Sequence, residues 1–209
     1  MSNLDMKKDL KHLYAPSSKH VSIVDIAPMN YLMIDGEGNP NTAEQYQEAV
    51  VAIYKLAYGI RAICKDNGNK FTVMPLEGLW EIKGQEAPPN DFNITLADKD
   101  LFKWTLMILQ PDFVTKAIME QARDIVMKKK DSPPSIADVR FEAYHEGEAV
   151  QILHIGSYDD ETENVAKLHH YIDNNGWTLG KRHHEIYLND PRKVDPSKLK
   201  TVIRQPFKR

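Results

Sequence analysis

Apolar positions recur along this chain at two spacings, alternate residues and every third or fourth residue, and the same succession of spacings occurs twice. The first succession opens on the short apolar run Tyr31-Leu32-Met33-Ile34, then the loop Asp35-Gly36-Glu37-Gly38-Asn39-Pro40. Asn41 or Thr42 can cap the helix that follows. Tyr46, Ala49, Val50, Ile53, Tyr54, Ala57, Ile60 and Cys64 then fall on one helical face, and Asn67-Gly68 ends it. Strands are predicted from Phe71 to Ile82 and from Lys103 to Leu109. The second succession opens on Ala149 to Ile155 and the turn Gly156-Ser157-Tyr158-Asp159-Asp160. A helix with Val165, Leu168 and Ile172 on one face ends at Asn174-Asn175-Gly176, and strands follow at Arg182 to Leu188 and Thr201 to Ile203. Both close on similar words, Ile108-Leu109-Gln110-Pro111 and Ile203-Arg204-Gln205-Pro206.

A unit of strand, helix, strand, strand used twice predicts an α+β fold. The copies pair about a pseudo-twofold axis, merging their strands into one antiparallel sheet with the helices on one face. The other face is then free for a ligand groove lined from both halves. The expected division is an N-terminal extension over residues 1–20 and one domain over 21–209. Within it, copy one covers about 21–111, an insert 112–138 and copy two 139–209. In the insert, Val114, Ala117, Ile118, Gln121, Ile125 and Val126 predict a helix stopped by Asp131-Ser132-Pro133-Pro134. Val139 to His145 reads as a strand. Gly84 to Asn93, with Pro88-Pro89, is long enough for a cover over the groove.

Composition narrows the function classes. The formal net charge of −3 over 209 residues, with scattered basic residues, gives no footprint for nucleic acid. Lys128-Lys129-Lys130 falls at a helix end, where cations are favoured. A lone cysteine, Cys64, excludes an internal disulfide and sits at a small core position. The polar Met1 to Asp9 lacks an apolar signal segment, and no stretch has membrane-span length, so a cytoplasmic setting is expected. His145, His154, His183 and His184 with Glu185 lie on separate strands without ligand spacing. They are read as surface or supporting histidines, with no metal. Ser157 lacks the second glycine of a nucleophile elbow, and Gly36-x-Gly38 lacks the third glycine of a nucleotide fingerprint. The acidic run Asp159-Asp160-Glu161-Thr162-Glu163 opens a helix, where carboxylates are favoured anyway. The stripe Tyr46, Ile53, Tyr54 is read as core.

The candidate chemistry lies in His183-His184-Glu185-Ile186-Tyr187-Leu188-Asn189-Asp190-Pro191. Alternation puts Glu185 and Tyr187 on one strand face and Ile186 and Leu188 on the other. A carboxylate and a phenol together suit a pocket for a flat organic molecule, walled by Trp80, Phe102, Trp104 and Trp177 with His183 and Tyr144 nearby. Among apolar neighbours, desolvation is expected to raise the basicity of Glu185.

The run Gln151 to Tyr158, a helix, and the closure Glu185-Ile186-Tyr187-Leu188-Asn189-Asp190-Pro191 resemble the GyrI-like small-molecule-binding domain over roughly Val21 to Phe207. That family also has two strand-helix-strand-strand copies. The resemblance implies a glutamate facing an aromatic ligand pocket, which by position is Glu185. It further implies either drug sensing, gyrase modulation, or hydrolysis of the cyclopropane ring of DNA-alkylating natural products. The enzyme members imply catalytic Glu185 with Tyr144 or Tyr187 as partner, and ligand contacts from Trp80, Phe102, Trp104, Trp177 and His183. No metal or organic cofactor is implied. Met1 to His20 is too short for a helix-turn-helix, so the expected partner is a small aromatic ligand, without direct nucleic acid or membrane binding, for a monomer or homodimer. The same glutamate and aromatic cage would equally sequester a flat cation.

Overall fold

The computed structural model describes residues 3–85, 91–180 and 182–209. Nine strands are described: β1 (Ser22–Ile26), β2 (Met29–Glu37), β3 (Leu76–Ile82), β4 (Phe102–Leu109), β5 (Arg140–Tyr144), β6 (Gly147–Ile155), β7 (Thr178–Leu179), β8 (His183–Tyr187) and β9 (Lys200–Lys208). The helices are α1 (Met6–Asp9), α2 (Lys11–Tyr14), α3 (Glu44–Asp66), α4 (Lys116–Met127) and α5 (Thr162–Asn174).

The strands form one antiparallel sheet in the order β1-β6-β9-β8-β3-β4-β2-β5, with β7 paired to β9. The run β6-β9-β8 on one side of the central β3–β8 pair repeats β2-β4-β3 on the other, as the repeated pattern predicts. The α+β class and the duplicated units are those of the sequence. The short β1 is an addition. Only Ala27-Pro28 separates it from β2, and only His145-Glu146 separates β5 from β6. The β1–β6 and β2–β5 ladders keep one register across these bends, Ile26 opposite Gly147 and Met29 opposite Tyr144. Pro28 has no N–H to offer the ladder, so the bend costs no donor there. Two long bent strands therefore pair with each other, which curls the sheet back on itself.

α3 and α5 pack on one sheet face, and α4 packs against α3. Ile53, Leu56 and Ile60 of α3 are fully buried, each contributing about 1.5–3 kcal/mol of burial. Val165, Leu168 and Ile172 of α5 pack with Val150, Ile152 and Ile203 in a second cluster. Cys64 is buried and burial raises its thiol pKa, consistent with a core role. The N-cap of α3 is Ala43, which offers no side-chain bond, rather than Asn41 or Thr42. Gly36 is part of β2 rather than a loop, because the Trp104 ring lies flat against it and leaves no room for a Cβ.

The opposite face is not free for a ligand, contrary to expectation. It is filled by α2 and by a buried charge network. His184 is fully buried, bonding Glu146 Oε1 at 2.9 Å through Nδ1 and Glu77 Oε2 at 3.0 Å through Nε2. Arg204 donates to Glu146 Oε2 at 2.9 Å, to Gln151 Oε1 at 3.1 Å and to the Leu13 carbonyl at 3.0 Å. Tyr14 donates to Glu77 Oε1 at 2.7 Å, so the network also holds the N-terminal helices. Two carboxylates face one guanidinium and one imidazolium, which balances the charges.

Burial alone would lower the His184 pKa, but the charge and hydrogen bond of Glu146, with Glu77, push it up to about 9. A raised histidine contributes stability that is complete below its unfolded value of 6.5 and disappears as pH rises through about 9. Burial pushes Glu146 up, but His184 and Arg204 outweigh it and bring Glu146 down to about 2. Its contribution is complete above 4.5 and is lost as pH falls through about 2. Thermal denaturation against pH should therefore show a plateau between pH 4.5 and 6.5, then a fall on the order of 3 kcal/mol as pH rises from 6.5 through about 9. A melting temperature unchanged through pH of about 10 would contradict this pairing.

Candidate functional site

The antiparallel register places Trp80, Gly78 and Leu76 of β3 beside His183, Glu185 and Tyr187 of β8, all on the helix-covered face. The cavity consequently opens between α3 and the N-terminus of α5, on the same face as the helices. Its volume is about 1480 Å³. Around Glu185 it is walled by Tyr46, Trp80, Phe102, Tyr158, Glu161 and Tyr187.

Glu185 is held from two sides. Tyr187 donates its hydroxyl proton to Oε2 at 2.7 Å, and its oxygen accepts from Trp80 Nε1 at 3.1 Å. His183 Nε2 lies 3.2 Å from Oε1 and donates to the ionised carboxylate. Burial raises the Glu185 pKa, but the bond and charge of His183, the Tyr187 bond and the His184 charge outweigh it, and the net direction is down. The expected rise in basicity is therefore not found: polar donors, not apolar neighbours, surround the carboxylate. With 14% of its side chain exposed, Glu185 remains within reach of the cavity.

The aromatic wall is interlocked. Tyr46 stacks on Trp80 at 6.0 Å and meets Trp104 edge-on at 5.2 Å. Phe102 packs edge-on against Trp80 at 5.7 Å, and Tyr158 against Tyr187 at 5.6 Å. Burial, then Glu161, pushes the Tyr158 hydroxyl up to about 12, and burial raises that of Tyr187 well above its ordinary value. Both are donors at neutral pH. The turn carrying Tyr158 is fixed by His154, with Nε2 2.9 Å from the Ser157 carbonyl and Nδ1 3.0 Å from Asn164 Nδ2.

Of the residues predicted from sequence, Glu185, Tyr187, Trp80 and Phe102 meet in this cavity. Trp104 does not reach it and backs Tyr46 from below. His183 lines a second cavity of about 340 Å³ behind Trp80, as does Tyr144. Tyr144 packs edge-on against Tyr31 at 6.3 Å and is not brought to Glu185. Trp177 stacks on Phe207 at 4.2 Å under Arg209 and lines neither cavity. His184, read as surface or supporting, is core. The proposed cover from Gly84 to Asn93 cannot be placed whole, since residues 86–90 lie outside the described residues.

Cavity residues that the sequence reading missed include Tyr46, Tyr54, Glu161 and Tyr158, the last read only as part of a turn. Tyr46 and Tyr54 occupy positions indistinguishable by spacing from core ones, yet line the cavity, while Ile53 is core as expected. Glu161 was read as part of a solvated acidic run. It is only 2% exposed, and its Oε1 has no hydrogen-bond partner. Burial and then the Glu185 charge push its pKa up to about 10. Among the described residues, no group of three or more His, Cys, Asp or Glu could hold a metal ion. No described helix is long and apolar enough to cross a membrane.

Gly78 faces Glu185 across the β3–β8 pair. A Cβ there would lie 2.7 Å from Trp80 Nε1 and 3.2 Å from the Tyr187 hydroxyl. Gly78→Ala should break the Trp80–Tyr187 bond, at a stability cost of about 1–3 kcal/mol. Trp fluorescence titrations should show weakened binding of a flat aromatic ligand. Unchanged affinity would place the ligand elsewhere.

A duplicated α+β sheet with an aromatic, carboxylate-bearing cavity defines a small-molecule-binding domain. The model of the GyrI-like small molecule binding domain matches residues 111–208. An uncharacterized conserved protein from Listeria innocua, known by its crystal structure, is 36% identical. The match covers 99% of this chain and 100% of that one, with a TM-score of 0.87. A hydrolase from Listeria innocua is 35% identical over 99% of this chain and 100% of its own, with a TM-score of 0.83. The EcmrR C-terminal domain shares the fold at 13% identity, covering 91% of this chain and 98% of that one, with a TM-score of 0.53. No curated protein matches the chain. The chain belongs to the GyrI-like family of small-molecule-binding domains.

Proposed function

We propose that this protein is a cofactor-independent hydrolase that adds water to flat, electrophilic aromatic compounds, opening the strained cyclopropane ring of DNA-alkylating molecules in self-protection. The observation that carries the proposal is Glu185: an ionised carboxylate, held by Tyr187 and His183, that faces an aromatic cavity with room for a polycyclic ligand. The similarity to a hydrolase over the full chain supports it. Cation sequestration would use the same cavity, but both Glu185 oxygens already accept protein hydrogen bonds, so its charge is partly satisfied without a cationic ligand.

In this reaction the water oxygen bonds to the cyclopropane methylene carbon. The strained C–C bond breaks, and its electron pair moves through the conjugated ring to the carbonyl oxygen. Glu185, steadied by His183, takes the water proton, and a donor in the cavity protonates the carbonyl oxygen. Trp80, Tyr46 and Tyr158 hold the flat ring, each contact contributing about 0.5–1.5 kcal/mol beyond area burial. Tyr187 positions Glu185. The weakly basic carboxylate is adequate because ring strain already lowers the barrier.

The test is incubation with a cyclopropyl dienone in isotopically heavy water, followed by mass spectrometry. One heavy oxygen in the ring-opened product, at a rate proportional to protein, is expected. Unchanged compound recovered bound to the protein would make it a sequestering domain.

A further inference from the structure

We propose that Glu161 is the general acid of this cavity, a neutral carboxyl group that gives its proton to the oxygen or nitrogen atom on which the substrate's electron pair ends. The inference rests on the hydrolase reading and deepens it by defining the substrate: an uncharged, flat electrophile with a conjugated acceptor atom, not a cation.

Glu161 precedes α5, yet its side chain makes no cap bond to that helix. It turns into the cavity shared with Glu185, Tyr158 and Tyr187. The residue is 2% exposed, and Oε1 has no hydrogen-bond partner. A buried carboxylate oxygen without a donor is costly when charged and tolerable when the group is neutral. The charged groups that bear on it are Glu185, Asp159 and Lys99. Glu185 and Asp159 favour the neutral form, while the neighbouring Thr201 hydroxyl, Lys99, already paired with Asp159 at 3.2 Å, and the helix terminus oppose it. Burial and Glu185 prevail, and the direction is strongly upward.

The two carboxyl groups thus sit in one cavity in opposite protonation states, Glu185 ionised and Glu161 neutral. Pairs pushed apart in this way divide base and acid work between them. The protons balance: water gives one to Glu185, Glu161 gives one to the substrate's acceptor atom, and after product leaves the proton on Glu185 returns to Glu161 through the cavity. A cationic ligand would instead draw the proton off Glu161, so its binding would release a proton.

Infrared spectroscopy near pH of about 7.5, well above ordinary carboxylate values, tests the protonation directly. The wild-type protein should show the carbonyl stretch of a neutral, weakly bonded carboxyl group. That band should vanish in Glu161→Gln and remain in Glu185→Gln, titrating there at lower pH because its repelling neighbour is gone. No neutral carboxyl band, or one that vanishes only in Glu185→Gln, overturns the proposal. With a cyclopropyl dienone, Glu161→Gln should lower kcat by about 10²–10⁴-fold, leave KM near wild type, and remove the alkaline limb of the pH–rate profile. A wild-type kcat in Glu161→Gln also overturns it. Absence of turnover in the wild type would instead sink the hydrolase reading, and the infrared band would still report on Glu161.

Discussion

Arg204→Met should destabilise the protein by about 3–5 kcal/mol, the cost of removing one partner from a buried ion pair. Arg204 is 1% exposed and is the guanidinium facing Glu146 in an interior that also encloses Glu77. Without it, two buried carboxylates share only the His184 imidazolium, and the Gln151 side chain and the Leu13 carbonyl lose a donor. Against a typical total of about 5–15 kcal/mol, the loss is large enough to show plainly as a lower denaturant midpoint. The double variant Arg204→Met with Glu146→Leu removes both charges of the pair. It should recover much of the loss, since an apolar pair of similar volume is often as stable. A single variant with the wild-type midpoint would mean that the network is hydrated rather than sealed.

Glu185→Gln should abolish turnover of an electrophilic cyclopropane, by about 10²–10⁴-fold or more, while leaving ligand affinity nearly unchanged. Gln is isosteric: its carbonyl oxygen can accept from His183 while its NH2 donates to the Tyr187 hydroxyl oxygen, so the aromatic cage stays in place. What it loses is the charge that takes a proton from water. The same substitution separates the two uses of the cavity. A cation-binding protein would lose affinity for cationic dyes and keep it for neutral ones.

The regular elements were legible because their information is local. The three-and-four spacing from Tyr46 to Cys64 and from Val165 to Ile172 marked α3 and α5. Alternation along His183 to Tyr187 correctly paired Glu185 with Tyr187 on one face. Features that depend on partners distant in the chain were not legible. β1 is five residues long and becomes a strand by pairing with β6, more than a hundred residues away. His184 looks like any strand histidine until Glu77 and Glu146 arrive from other elements. Glu161 is hidden by its setting: an acidic run before a helix explains itself by the helix dipole, and nothing local shows one member turning inward. The groove was assigned to the wrong sheet face because two helices were assumed to cover their side completely. In fact α3 and α5 leave a gap between them, and α2 with the buried charge network closes the other side. Trp104, Trp177 and Tyr144 show that aromatic content alone does not mark a ligand wall, since each is used in packing elsewhere.

The most direct test of the central claim is a single-turnover comparison of the wild type with Glu185→Gln, with binding measured on the same samples. The substrate is a cyclopropyl dienone, followed by mass. Rapid ring opening by the wild type, with a variant that binds the compound equally well and leaves it intact, is the predicted result. Equal ring opening by both proteins would contradict the account, because water would then be activated without Glu185.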